Sequence, residues 1–166
     1  MKLRSSPYGG DPQSPHAPNH QDRDWEPIAA DDARALVPPG EYEVVCTGAE
    51  RRFYPFFGRH VVVLSLRIFD GPYIGTILER FYNVRADGRI GRGSHYWREW
   101  VIANQGVVPR RRERMAMRKF CGKLFRADVV TVEMGRDGTA LAHAEYSKVA
   151  RLLELVVSNE AVNPQA

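Results

Sequence analysis

The run His60–Phe69, HVVVLSLRIF, leaves the chain little conformational choice. Val62, Leu64, Leu66 and Ile68 share one parity, and Val61, Val63, Ser65 and Arg67 share the other. A period of two separates residues onto two faces only in an extended strand. Upstream, Pro38, Pro39 and Gly40 break the chain, after which Tyr42, Val44 and Cys46 alternate with Glu43, Val45 and Thr47 as a first strand. Downstream, the turn Asp70–Tyr73, DGPY, closes a hairpin into IGTILERFYNV, the third strand. Gly75 within that run predicts a bulge or sharp bend of the kind a small barrel needs at its corners.

After a loop, RADGRIGRG, the pattern changes period. Tyr96, Trp97, Trp100 and Val101 recur at helical spacing, Ser94 is placed to cap the start, and Asn104–Gly106 ends the helix. A basic stretch and a short helical segment lead to LFRADVVTVEM, a fourth strand. GRDGTALAHAEY reads as a loop or hairpin, and SKVARLLEL as a fifth strand or a terminal helix. The expected fold is mainly β, with a helix between strands three and four. That order suits a five-stranded OB-like barrel, whose binding surface is strands two and three with the loops after strands one and four.

Residues 1–37 are rich in proline, glycine and polar side chains and have little to bury, so they are expected to form a disordered or draped N-terminal arm. Residues 38–157 are the expected domain, and 158–166 a flexible C-terminus. Through Gly40 four basic residues face six acidic ones; that net −2 against +4 overall leaves +6 on the rest of the chain. A basic domain is compatible with a polyanionic partner without identifying one. The N-terminus has no apolar run suited to a signal peptide, and nothing later is long enough to span a bilayer, so a soluble, cytoplasmic protein is expected. Cys46 and Cys121 belong to no CxxC pair and are expected to be reduced core thiols.

No catalytic site is expected, because the chain has no HExxH, CxxC or GxSxG pattern and no Walker lysine behind its glycine-rich loop. Nor is a metal site or cofactor. Nucleic-acid binding is better supported. Single strands are held by aromatic faces that stack on bases within a basic groove. Residues 50–60, ERRFYPFFGRH, supply Arg51, Arg52, Phe53, Tyr54, Phe56, Phe57 and Arg59 between the first two strands, where a polar turn is normal. Arg67 and Arg80 with Phe81 and Tyr82 would extend this surface over strands two and three. Arg110, Arg111 and Arg112 form a second basic run, either a phosphate track or a solvated face.

Three turns carry a family resemblance. Pro39, Gly40 and Tyr42 open the domain; Asp70–Tyr73 with Gly75 follow the aliphatic strand; Phe120, Gly122, Lys123 and Phe125 lead into strand four. Together they resemble OB-fold single-stranded DNA-binding proteins of phages and mobile elements, over roughly residues 38–156. The resemblance implies single-stranded DNA as partner, in the company of replication or recombination proteins. Members often have a plain polar loop after strand one, where this chain has RRFYPFFGR. Two alternatives stay open: RNA binding, and a protein-interaction module on the same barrel that meets another protein or a second copy of itself.

Overall fold

Alternation of apolar side chains produces five strands, and their pairing makes one antiparallel sheet. The computed structural model of the chain describes residues 34–55, 58–110, 114–135 and 137–157. The strands are β1 (Gly40–Tyr54), β2 (Arg59–Ile68), β3 (Ile77–Asn83), β4 (Leu124–Val132) and β5 (Tyr146–Val157), with α1 (His95–Ala103) between β3 and β4. Their order in the sheet is β3-β2-β1-β4-β5. The run SKVARLLEL is thus a strand, and the arm and C-terminal tail at 1–33 and 158–166 lie outside the described residues.

Everything else is arranged around β1, which changes partners along its length. Gly40–Val45 pair with β4, whereas Val44–Tyr54 pair with β2. An irregularity between Cys46 and Gly48 marks the change, and the extra residue there bends the strand. Beyond it β1 and β2 run on as a long hairpin, away from β4. Five strands laid flat would separate β3 from β5 by about 19 Å, yet these end strands approach within 8 Å at their Cα atoms, and α1 packs against both. The sheet is therefore curled. Among the described residues no ladder joins β3 to β5, so the five strands form one sheet that is not closed into the expected barrel.

The curled face encloses the core. Val44, Leu64, Leu66, Ile68, Leu78, Phe125 and Val129 from the strands meet Tyr96, Trp100 and Ala103 from α1. Each large apolar side chain so buried contributes about 1.5–3 kcal/mol. Rings tie the elements together. Tyr82 and Tyr96 meet edge-on at 5.2 Å, and Phe120, after the short 3₁₀ turn at Met117–Lys119, lies 5.6 Å from Tyr96 and 6.3 Å from Phe125. Ser94 caps α1 as its position predicts, its hydroxyl accepting from the Trp97 N–H at 3.2 Å. Gly75 has φ 86° in the turn before β3, so it serves the turn and not a bulge inside the strand. Val37, assigned above to the arm, is buried and fixed to the domain through Ser147. No helix among the described residues is long and apolar enough to cross a membrane.

Cys46 is buried in this core and Cys121 half-exposed; both are free thiols. Burial, reinforced by the neighbouring Cys121, pushes the Cys46 thiol up to about 12 from an unperturbed 9.0. Its folded pKa lies above its unfolded one, so its contribution to stability is complete below pH 9 and is lost as pH rises toward about 12. Urea unfolding midpoints measured from pH 8 to 11 are expected to fall with a steeper slope in the parent protein than in Cys46→Ala.

Candidate nucleic-acid interface

Most of the described part of the aromatic and arginine run belongs to strands. Residues 50–54 complete β1 and Arg59 opens β2, because the ladder continues through Arg51–Val62, Arg52–Val61, Phe53–His60 and Tyr54–Arg59. Residues directly opposite one another share a face, so the register sorts the run in two. Arg51 and Phe53 lie on the face of core residue Val62, while Arg52, Tyr54 and Arg59 lie on the outer face with Val61 and Val63. Phe56 and Phe57 lie outside the described residues.

The outer face carries Arg52, Tyr54 and Arg59 of the expected binding surface, but its charges are balanced. Arg52 donates to Glu50 beside it and, at 3.0 Å, to Glu79 on β3. The register places β2 between these partners, with Val63 beneath the bridge and almost wholly buried. Partial burial opposes the Arg52 charge, but Tyr54, Glu50 and Glu79 more than offset it and hold the guanidinium above its ordinary pKa. Farther along the sheet Arg126 pairs with Glu154 at 3.0 Å and Arg151 with Asp128 at 3.3 Å. Exposed pairs like these add little stability, but they cancel the positive field a polyanion would follow. Of the expected contacts on β2 and β3, only Arg67 is exposed.

Arg80 and Tyr82 face the core instead, because the register sets them opposite Leu64 and Val62. The Arg80 guanidinium donates to both oxygens of Glu99 on α1, at 3.2 and 2.6 Å, and the Tyr82 hydroxyl donates to Glu99 Oε2 at 2.6 Å. Arg80 also lies 4.6 Å from the Tyr82 ring centroid. Burial opposes the Arg80 charge, and the Glu99 carboxylate outweighs it, so its pKa is raised; burial together with Glu99 raises that of Tyr82 well above the usual value. Neither side chain is available to a base or a phosphate. Phe81, on the outer face, is half-buried.

Exposed positive charge collects at one edge, where the inner side of the hairpin meets the loop between β3 and α1. The Arg51 guanidinium lies 3.9 Å from the position a Gly88 side chain would occupy. Gly88, at φ 74°, lets a turn close there through its N–H to the Arg85 carbonyl at 2.8 Å, while the Arg85 N–H donates to the Arg89 carbonyl at 3.2 Å. Ile90 packs on the core and leaves Arg85, Arg89 and Arg92 exposed. Asp87, 3.6 Å from Arg85, is the acidic residue of this loop. Phe53 is 53% exposed with its ring 4.9 Å from His60, and Arg92 lies 5.7 Å from the centroid of half-buried Trp97. Arg85, Arg89 and Arg92 were missed as candidates, although the spacing of RADGRIGRG sets three arginines among turn glycines. Arg110 is exposed, and Arg111 and Arg112 lie outside the described residues.

Compared with known proteins, the chain matches no family model, and no curated protein is significantly similar to it.

Removing one partner of a buried, hydrogen-bonded ion pair costs about 3–5 kcal/mol, because the remaining charge is stranded. Glu99→Ala is expected to lose that much in urea unfolding, whereas the pairwise replacement of Arg80 by Met and Glu99 by Leu recovers most of it.

Proposed function

We propose that the protein is a non-catalytic single-stranded DNA-binding protein on an OB-like barrel, of the phage and mobile-element kind its turns resemble, acting in replication or recombination. Support for the barrel comes from β1 shared between β2 and β4, from the approach of β3 to β5, and from a helix between β3 and β4. The observation that carries the binding reading is the approach of Arg51, on the hairpin that also carries the exposed Phe53–His60 rings, to Gly88 in the loop that bears exposed Arg85, Arg89 and Arg92. Phosphates meet the arginines and a base stacks on Phe53, so the strand passes along the hairpin and not across the sheet face. Binding of this kind is tolerant of sequence, since every base offers a π-face.

A protein-interaction module is the second reading. Phe69, Ile74 and Ile77 stand exposed around Arg67 at the β2–β3 turn, an apolar cluster with no use in holding a phosphate chain. RNA in place of DNA is separated by competition with oligo-U.

Anisotropy with labelled oligo-dT in low and high salt tests the proposal. With Arg85 paired to Asp87, three arginine–phosphate contacts, from Arg51, Arg89 and Arg92, give a log–log salt slope of about −2.1 on a single strand. The double variant Arg51→Ala, Arg89→Ala is expected to reduce it by about 1.4. Phe53→Ala removes one stacking contact of about 1–3 kcal/mol and weakens binding roughly 5- to 150-fold. Absence of binding at micromolar protein in low salt sinks the proposal, as does unchanged affinity in both variants.

A further inference from the structure

A groove of about 730 Å³ lies where the chain enters β1 and leaves β4, lined by Leu36, Pro39, Met134 and Ala140 with Glu133 and Glu145. Its walls are tethered. On one side the Val37 N–H donates to the Ser147 hydroxyl at 2.8 Å, and that hydroxyl donates back to the Val37 carbonyl at 2.8 Å. The Ser147 N–H holds the Ala35 carbonyl at 2.9 Å, and the Tyr42 hydroxyl the Pro38 carbonyl at 2.8 Å. On the other side Met134 and Ala140 form a bridge, and the Leu141 N–H donates to the Glu133 carbonyl at 2.8 Å. This scaffold keeps Leu36 and Met134 in water at 58% and 54% exposure.

We propose that the groove docks a segment of a partner protein in which apolar side chains alternate with lysine or arginine. The apolar walls favour burial of aliphatic side chains. The charge of the occupant follows from Glu133 and Glu145, neither of which is ion-paired among the described residues. Since the chain as a whole carries +4, a cationic segment gains nothing from the mean field and must be held by these two carboxylates. A preformed groove also spares the binding event the ordering of its own backbone. The groove adjoins the start of β1 at Gly40, whereas Arg51 and Phe53 belong to its other end, past the irregularity at Cys46–Gly48. A peptide here and a strand there can therefore be held together, and the peptide site stands whether or not the DNA reading does.

Anisotropy on the full chain would use a labelled heptapeptide of alternating leucine and lysine, with its leucine–glutamate counterpart as comparison. The basic peptide is expected to bind with micromolar Kd and the acidic one not at all. Glu133→Gln with Glu145→Gln should weaken the basic peptide about tenfold, and Met134→Ser should weaken it with the carboxylates intact. The same neutralisation at Glu41 and Glu43 on the outer sheet should leave it unchanged, with folding checked by circular dichroism. Equal losses in the groove and sheet variants, equal binding of both peptides, or saturation of the groove by self-association in sedimentation would each overturn the proposal. Oligo-dT affinity, measured separately on the groove variant, is expected to stay within about twofold of the parent, so failure of either site is read independently.

Discussion

The Glu99 carboxylate is the point on which the inside of this domain depends. It sits on α1 with almost no exposure and receives hydrogen bonds from Arg80 and Tyr82, two residues apart on β3. An isolated charge cannot remain in such a place, and a carboxylate satisfied by a guanidinium fork and a phenol can. The network also has a directional effect that apolar packing lacks. It sets α1 against β3 at one rotation, which carries Trp100 and Tyr96 into the ring cluster with Phe120. The helix is thereby held across the opening between the two end strands.

A second constraint is the shared strand. β1 carries β4 on its first half and β2 on its second, with an irregularity where one partner gives way to the other. One strand serving two neighbours in this way must bend, and its second part continues with β2 as a hairpin whose end, with Phe53 and His60, runs past the β3 ladder. The proposed sites follow from this geometry. The loop from β3 to α1 meets the inner side of the hairpin and gathers arginines there, while the chain segments around the start of β1 leave a groove at the far end.

The strands were legible in the residues because a period of two is a local property. Val62 to Ile68 declare their faces without knowing what covers them, and Ser94 declares a helix start by its own chemistry. Legibility failed for the same residues whenever the answer depended on a distant partner. Arg80 looks like any arginine on a strand, and its burial is decided by Glu99, nineteen positions later. Arg52 belongs to an aromatic, basic run, and its charge is consumed by Glu79 across an intervening strand. The glycine-rich loop carries no local sign of its neighbour, because the approach of Gly88 to Arg51 joins segments remote in sequence.

By itself the sequence determined the strand faces, the capped helix, the turn at Asp70–Tyr73 and the excess of positive charge outside the first forty residues. All of these depend on side-chain type and near-neighbour spacing. Only the tertiary structure decided which arginines keep their charge exposed. A guanidinium is free or spent according to whether a carboxylate lies within a few ångströms of it, and sheet register and helix docking, not spacing along the chain, bring that carboxylate near.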